Sequence, residues 1–275
     1  MNDGRSTIDD DVPIRLGAVS YLNTRPLVHG LEQETGRFTL RFDVPAKCAE
    51  LLHAGAVDLG LIPSIEYPGR DYRIVPDLSI ASAGPVASVA IFTKVPTERI
   101  RSIALDVSSR TSIALLRVLC ARWFAIEPAL VGMAPDVTRM LGQCDAALVI
   151  GDNALFMDHD ALGLEKVDLG EEWIGMTGLP FVYAFWAGRP GVADEEDIAA
   201  LQRARNGGVT QSETIAREYF PDSLEHQAVG ARYLRDNIKY YLGDEERAGL
   251  ERFYAYAVEA GVVEKMIAPE CYGQP

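Results

Sequence analysis

The sequence Ser20-Tyr21-Leu22-Asn23-Thr24-Arg25-Pro26-Leu27 follows the apolar run Ile14 to Val19 and precedes a predicted helix. A short apolar run of this kind is typical of a buried strand. Thr24 can cap the helix and Pro26 suits its first turn, so we expect a helix that runs through Leu31. Open α/β folds bind ligands in polar loops at the carboxyl ends of their strands. This stretch is therefore predicted to form one wall of a binding site.

The strand, loop and helix order of this stretch recurs along the chain in two successive units. Further strand-like runs occupy residues 38–44, 56–63, 73–80 and 86–92 in the first unit and residues 102–107, 130–133 and 146–150 in the second. Residues 168–180 are rich in loop-forming types, and helices are predicted after residue 194. Alternating strands and helices indicate an α/β fold. Crossing segments near residues 92–95 and 181–187 would place a cleft between the two units, where ligands favour binding.

The bulk composition describes an ordinary globular chain that is strongly acidic. Its 275 residues carry a formal net charge of -14, which disfavours nucleic acid and anionic membranes as partners, because both need basic patches. No apolar run reaches the ~18 residues of a membrane span. The acidic residues 1–12 do not resemble a secretory signal, so we expect a cytoplasmic protein. The four cysteines lie far apart without a CxxC pair, which disfavours disulfides and zinc sites.

The polar loop 108–112 opens a predicted helix and allows two interpretations. Its backbone N–H groups and its hydroxyls can hold an anion, with the helix dipole adding up to ~2 kcal/mol when partly buried. Alternatively, Ser109 or Thr111 is only an N-cap, which contributes ~1 kcal/mol to helix stability. The residues of the loop do not by themselves decide between these interpretations.

Three other polar residues follow predicted strands closely enough to take part in chemistry. Asn23 offers a neutral donor and acceptor, although it can equally bond its own backbone in a turn. Glu66 and Asp152 are placed for acid–base work, although each also suits a helix cap or a turn. The sequence has no HExxH, GxGxxG, P-loop or GxSxG motif, so nucleotide cofactors and serine hydrolysis have little support.

Several spaced motifs together resemble the chorismate dehydratase family of the futalosine route to menaquinone, over roughly residues 14–260. They are Ser20-Tyr21-Leu22-Asn23-Thr24-Arg25-Pro26-Leu27, Asp58-Leu59-Gly60-Leu61-Ile62-Pro63-Ser64-Ile65-Glu66-Tyr67, Ser82-Ala83-Gly84-Pro85-Val86-Ala87-Ser88, Ser109-Arg110-Thr111-Ser112, Gly151-Asp152-Asn153-Ala154 and Thr177-Gly178-Leu179-Pro180-Phe181-Val182. The acidic extension 1–12 and the tail after residue 267 lie outside the resemblance.

The resemblance implies a two-lobed fold like that of type II periplasmic solute-binding proteins, a Venus flytrap with an interlobe cleft. We expect lobe 1 to comprise residues 13–93 and 187–275 and lobe 2 to comprise residues 94–186. It further implies a lyase that eliminates water from chorismate to give 3-enolpyruvylbenzoate without a redox cofactor or a metal. The expected partner is this small molecule, and the protein is expected to be a monomer or a homodimer.

The resemblance also suggests which residues act in the cleft. We expect Asn23 and Glu66 in catalysis, with Glu66 as the protein base or Asn23 orienting the enolpyruvyl carboxylate of chorismate as the base. The substrate-binding residues are expected to be Tyr21, Ser64, Ser82, Val86, Ser88, Ser109, Thr111, Ser112, Asp152 and Asn153. We place Ser109, Thr111 and Ser112 at the ring carboxylate and Ser82 and Ser88 at the other one.

Three alternatives to this function remain. The first is the sister enzyme that converts cyclic dehypoxanthinyl futalosine to dihydroxynaphthoate, which typically opens with Ser-Pro-Cys-Pro-Asn-Asp where this chain has Ser-Tyr-Leu-Asn-Thr-Arg. The second is a non-catalytic solute-binding protein for a small anion, which the absence of a signal peptide disfavours. The third is the effector-sensing domain of a regulator, which the lack of a basic helix-turn-helix before residue 14 disfavours.

Overall fold

Strands and helices alternate along most of the described chain. A computed structural model describes residues 12–34, 36–266 and 268–273, so most of the acidic extension lies outside the described residues. The strands are β1 (Ile14–Val19), β2 (Phe38–Asp43), β3 (Leu59–Pro63), β4 (Arg73–Ile74), β5 (Ile80–Ser82), β6 (Val89–Thr93), β7 (Ser102–Asp106), β8 (Ala129–Met133), β9 (Ala146–Ile150), β10 (Glu165–Asp168) and β11 (Phe181–Gly188). The helices are α1 (Pro45–His53), α2 (Arg110–Leu119), α3 (Val137–Gln143), α4 (Asp152–Leu155), α5 (Leu169–Thr177), α6 (Glu195–Gly208), α7 (Ser212–Tyr219), α8 (Leu224–Arg232) and α9 (Asp244–Glu259).

The strands form two mixed sheets. The first sheet has the order β2-β1-β3-β11-β4, with β5 also paired to β11, and the second has the order β10-β6-β9-β7-β8. In the first sheet β1 is parallel to β2 and β3, whereas β11 runs antiparallel to β3. In the second sheet β7 is parallel to β8 and β9, whereas β6 is antiparallel to β9. The predicted α/β class is confirmed, and each sheet carries antiparallel strands that we did not predict.

The chain passes between the sheets at places other than those we predicted. It leaves the first sheet between β5 and β6 and returns between β10 and β11, so the crossings precede β6 and β11. The predicted lobe bounds put β6 in lobe 1 and most of β11 in lobe 2, but β6 pairs in the second sheet and β11 in the first. Every residue of both strands is buried, so composition does not reveal which sheet each strand joins. The division into two lobes stays a prediction.

Local structure also differs from two of our predictions. The expected helix after Ser20 consists of two 3₁₀ segments, Leu22–Val28 and Leu31–Gln33, separated by Gly30 at a positive φ of 75°. Pro26 has no N–H to donate within this stretch, which disfavours a continuous α-helix. The region that we expected to be loop-rich, residues 168–180, contains α5 and the last residue of β10. Asp168 caps α5 by accepting hydrogen bonds from the N–H groups of Gly170 and Glu171.

Apolar side chains from both sheets merge into one large core. Its largest fully buried side chains include Trp173 of α5, Trp186 and Phe181 of β11, and Phe253 of α9. The rings of Trp173, Phe181 and Phe253 meet in edge-to-face contacts with centroids 4.8 to 6.0 Å apart. β11 therefore connects the C-terminal helix α9 to the first sheet. Among the described residues, no helix is both long and apolar enough to cross a membrane.

Candidate active site

A cavity lies between the two sheets, at the ends of β1 and β9. Its empty volume is about 530 Å³, counted to its open mouth. It is lined by Val19, Tyr21, Asn23, Pro45, Pro63, Ile80, Val86, Ser88, Val89, Ser109, Thr111, Ser112, Ile150, Gly151, Tyr183 and Ala184. Seven of the predicted site residues are in this set: Tyr21, Asn23, Val86, Ser88, Ser109, Thr111 and Ser112. Hydroxyl, amide and apolar groups surround the space, and no side chain of Asp, Glu, His, Lys or Arg is among the described residues that line it.

The first 3₁₀ segment, which follows β1, supplies one wall of the cavity. The Oδ1 atom of Asn23 is buried and has no hydrogen-bond partner among the described residues. The Asn23 amide lies close enough to Tyr233 to favour the ionised form of that phenol, although burial dominates and raises the Tyr233 pKa far above its ordinary value. The turn interpretation of Asn23, in which the side chain bonds its own backbone, therefore does not apply.

The neighbouring Tyr21 ring packs against Gly151, which begins the turn after β9. Gly151 has a φ of +64°, and a Cβ atom added there would lie 2.8 Å from the Tyr21 ring. A glycine is therefore required both for the backbone conformation and for the approach of the ring. Burial raises the pKa of the Tyr21 hydroxyl, which remains protonated at neutral pH. This contact joins the end of the second sheet to the first wall of the cavity.

The first turn of α2 supplies the facing wall. Ser109 occupies the N-cap position but its side chain makes no capping hydrogen bond, and its hydroxyl instead donates to Ser112 Oγ at 2.7 Å. In the described part of the chain, no acceptor is bonded to the backbone N–H groups of residues 110–112. Unpaired N–H groups at a helix start are suited to binding an anion. The capping interpretation of the Ser109 hydroxyl therefore fails.

Thr111 lies in the same turn and is held from behind by the segment after β3. Its Oγ1 atom accepts a hydrogen bond from the Ile65 N–H at 3.2 Å and lies 3.5 Å from Ser64 Oγ. Ser64 is fully buried and donates to the carbonyl oxygen of Val182 at 2.8 Å. Ser64 is therefore placed behind the cavity, where it supports Thr111, rather than among the residues that line the cavity.

Two tyrosines that we did not predict as site residues bond to predicted serines, one that lines the cavity and one that does not. The Ser88 hydroxyl lies 2.7 Å from the Tyr233 hydroxyl, and the Ser82 hydroxyl lies 3.1 Å from the Tyr183 hydroxyl. Tyr183 itself lines the cavity, whereas Ser82 does not. Tyr233 begins a π-helical turn, Tyr233–Asn237, that continues α8. Because Tyr233 is 145 residues from Ser88, no local sequence signal connects the two.

Asp152 does not line the cavity, but its carboxylate bonds to the first 3₁₀ segment and to the last residue of α7. Its Oδ1 atom accepts from the Leu22 N–H at 3.2 Å, and its Oδ2 atom lies 2.7 Å from the Tyr219 hydroxyl. Burial raises the Asp152 pKa above its ordinary value, although both hydrogen bonds oppose this shift. Asp152 therefore connects α4, which follows the second sheet, to the first wall. Its neighbour Asn153 is exposed and lies outside the cavity lining.

Glu66 is also outside the cavity lining. Its Oε2 atom lies 2.9 Å from His53 Nε2, and its Oε1 atom accepts from Arg110 Nη1 at 2.9 Å. Burial by itself raises the pKa of Glu66, but hydrogen bonds from His53 and Arg110 outweigh it and leave the pKa below its ordinary value. Glu66 is therefore ionised and twice bonded, which makes it a weak base, and it does not line the cavity.

The loop that crosses from the first sheet to the second is fixed by another carboxylate that we missed. Asp168 accepts hydrogen bonds from the N–H groups of Val86 at 3.0 Å and Ala87 at 2.7 Å. Ala87 has a φ of 64°, which is unusual for a residue with a side chain. These bonds hold the crossing loop so that Val86 and Ser88 reach the cavity. The sequence marked Asp168 only as the beginning of a region rich in loops.

Comparison with known proteins identifies the family of this chain. Residues 14–259 match the family model described as menaquinone biosynthesis. The chain is 31% identical over 265 residues to the chorismate dehydratase of Thermus thermophilus, covering 88% of this chain and 94% of that protein. It is 30% identical over 236 residues to the chorismate dehydratase of Campylobacter jejuni, covering 85% of this chain and 88% of that protein.

Solved structures show the same fold at low sequence identity. The protein AF1704 of Archaeoglobus fulgidus has a TM-score of 0.72 at 17% identity, covering 91% of this chain and 98% of that one. The alkanesulfonate-binding protein SsuA of Xanthomonas axonopodis has a TM-score of 0.69 at 17% identity, covering 94% of this chain and 96% of that one. The fold is that of the periplasmic binding proteins, as expected. The chain belongs to the menaquinone-biosynthesis family, in which these chorismate dehydratases are its relatives.

Proposed function

We propose that this protein is a chorismate dehydratase, a lyase that eliminates water from chorismate to give 3-enolpyruvylbenzoate for menaquinone biosynthesis through futalosine. The curated relatives support this activity. The observation that carries the chemistry is the cavity lining, which offers many neutral donors and, in the described chain, no charged side chain. Such a lining suits a substrate that is itself a dianion and that supplies its own base.

The reaction begins with removal of the proton on C3 of chorismate. This C–H bond is vinylogous to the ring carboxylate, so the electron pair that it leaves moves into the ring and onto that carboxylate. The C4–O bond then breaks, the ring becomes aromatic, and the departing hydroxide combines with the abstracted proton to give water. No electrons are gained or lost overall, so the balance requires neither an oxidant nor a reductant.

We assign removal of the C3 proton to the enolpyruvyl carboxylate of chorismate, because the described residues that line the cavity include no Asp, Glu or His. Glu66, the protein alternative, is bonded to His53 and Arg110 outside the lining. Asn23 has the geometry for orienting the substrate. Its buried, unpartnered Oδ1 atom requires a donor. The C4 hydroxyl is the one O–H donor of chorismate at neutral pH, and an amide N–H can then hold the enolpyruvyl carboxylate.

We assign the ring carboxylate to the first turn of α2. The hydroxyl of Thr111 and the unpaired N–H groups of residues 110–112 meet the substrate where its negative charge increases. Donors placed at such a position typically contribute ~10²–10³ in turnover each. Ser88, held by Tyr233, is assigned to the second carboxylate. Ser64, Ser82, Asp152 and Asn153 receive no direct substrate contact in this assignment, since none of them lines the cavity.

The test is to incubate the purified protein with chorismate alone and to follow the products by mass spectrometry. We expect an aromatic enolpyruvyl product that is lighter than chorismate by one water. A protein that binds chorismate tightly without converting it would instead be a solute-binding protein or a sensor. A protein that does not convert chorismate but converts cyclic dehypoxanthinyl futalosine would be the sister enzyme. A cytoplasmic location stays a prediction, which fractionation of cells tests.

A further inference from the structure

A second pocket lies on the surface beyond Glu66 and shares no residue with the substrate cavity. Its empty volume is about 690 Å³, counted to its open mouth. It is lined by His53, Gly69, Arg70, Asp71, Tyr72, Arg189 and Pro190. The proposed function gives this pocket no role. Two arginines among its seven lining residues are unusual for a chain whose acidic residues outnumber its lysines and arginines by 40 to 26.

Both arginines line the same pocket as the buried Tyr72. The charges of Arg70 and of Arg189 both act on the phenol of Tyr72, where they oppose the rise in pKa that burial causes. The Arg189 guanidinium also lies over the backbone of Gly55, where an added Cβ atom would be 3.4 Å from Nη1. Within residues 12–34, 36–266 and 268–273, neither guanidinium has a hydrogen bond or an ion pair.

The carboxylates around this pocket already have other partners. Asp58 is bound through both of its oxygens by Arg15, at 2.6 and 2.8 Å. Asp71, on the rim, lies 3.5 Å from Arg73. Nine of the 20 arginines in the described residues form an ion pair with a carboxylate, and the two in the pocket are among the others. Two like charges that line one concavity repel each other, and an anion bound between them would relieve that repulsion.

The remaining walls supply shape rather than charge. The rings of His53 and Tyr72 are stacked, with centroids 5.8 Å apart and planes inclined by 9°. Their polar atoms bond to each other, since His53 Nδ1 lies 2.8 Å from the Tyr72 hydroxyl, and the other ring nitrogen of His53 is bonded to Glu66. A ligand in this pocket would therefore meet the exposed part of this ring pair and the two guanidinium groups.

We propose that this pocket is a binding site for a small phosphate-bearing anion, held by Arg70 and Arg189. A planar guanidinium binds two phosphate oxygens at once, and two such groups match a dianion. The empty volume exceeds what inorganic phosphate needs, so an organic group attached to the phosphate fits against the stacked rings. The site is separate from the substrate cavity and does not depend on the proposed activity.

The experiment measures the binding of inorganic phosphate to the full chain by isothermal titration calorimetry, with ionic strength held constant by sodium chloride. Arg70→Ala and Arg189→Ala should each weaken phosphate binding by about tenfold, since each removes one charged fork. Arg139→Ala is the matched control, because Arg139 is exposed, its guanidinium has no hydrogen bond or ion pair with the described residues, and it lies on α3 away from the pocket. It should change the affinity by less than about twofold, the size of a bulk charge effect.

Each outcome decides for or against the site. Absence of phosphate binding to the unsubstituted protein overturns the proposal, as does an equal loss in Arg139→Ala. Phosphate binding that persists unchanged in the Arg70→Ala, Arg189→Ala double variant also overturns the proposal. Competition of that binding with chorismate would place the anion in the substrate cavity. Chorismate turnover of the double variant should match that of the unsubstituted protein, so loss of this site and failure of the proposed function are separable.

Discussion

Replacing Asn23 by alanine tests the proposed chemistry most directly. The change removes the buried Oδ1 acceptor and the amide donors from the cavity wall, and leaves the charge of the protein unaltered. Loss of one group that is positioned for the developing charge typically costs ~10²–10³ in turnover, or about 3–4 kcal/mol of barrier. Because the Oδ1 atom of Asn23 has no hydrogen-bond partner among the described residues, its loss leaves no protein donor unpaired there, and the free energy of unfolding should change little. The loss should therefore appear in kcat.

Glu66→Gln provides the comparison. The glutamine keeps one oxygen as an acceptor and loses the attraction to Arg110, whose side chain is 38% exposed. A partly exposed ion pair of this kind contributes only about 1 kcal/mol or less to stability. Since Glu66 does not line the cavity, turnover should fall by no more than about tenfold.

The assay is the initial rate of formation of the aromatic product at saturating chorismate, with chorismate binding measured by calorimetry and folding by circular dichroism. Gln143→Ala is the control, because it removes an exposed side-chain amide from α3, away from the cavity. Suppose that Glu66→Gln abolishes turnover while it still folds and binds chorismate. The carboxylate of Glu66 would then be the base, and the substrate-base mechanism would be wrong.

Three further predictions concern the contacts that connect the two sheets. Tyr219→Phe removes the hydroxyl beside Asp152 and should lower the free energy of unfolding, measured with urea, by about 1–3 kcal/mol. An unchanged value would show that solvent satisfies the carboxylate of Asp152. Asp152→Asn should remove a pH-dependent contribution to the free energy of unfolding. Because burial raises the pKa of Asp152 in the folded state, the native protein holds its proton more tightly than the unfolded chain does. We therefore compare the free energy of unfolding of the unsubstituted protein with that of the variant. The difference, unsubstituted minus variant, should fall as pH rises from the unfolded pKa of about 4 through the raised native value. A difference that is independent of pH would contradict this prediction. In Gly151→Ala the new Cβ atom would lie 2.8 Å from the Tyr21 ring, at a φ of +64°. The substitution should raise KM for chorismate and lower the free energy of unfolding by about 1 kcal/mol or more. Unchanged kinetics would mean that Tyr21 does not shape the cavity.

Much of the candidate site was predictable because its residues occur in short motifs beside strand ends. β1 has the predicted bounds, and the stretch after it lies at the cavity with Tyr21 and Asn23 in the lining. The loop before α2 was also found, because a run of hydroxyl residues that precedes a helix is a local signal. For such positions, local composition and the order of strand and helix are sufficient.

The partners of these residues were not predictable, because each comes from a distant part of the chain. Tyr233 reaches Ser88 across 145 positions, and Tyr219 reaches Asp152 across 67. Nothing in a lone tyrosine within a helical stretch indicates which hydroxyl or carboxylate it will bond. Glu66 illustrates the opposite case, since its position after β3 suggested a base, whereas two hydrogen bonds from His53 and Arg110 hold it outside the cavity lining.

The sequence by itself determined the alternation of strands and helices, the acidic charge, the hydroxyl-rich loop before α2 and the stretch at Asn23. These depend on residues that are near one another along the chain, where apolar period and capping chemistry act. Only the tertiary structure decided which sheet β6 and β11 join and which polar groups face the cavity. Strand pairing and hydrogen bonds across the cleft depend on how buried surfaces fit together, and two fully apolar strands look alike until they are packed.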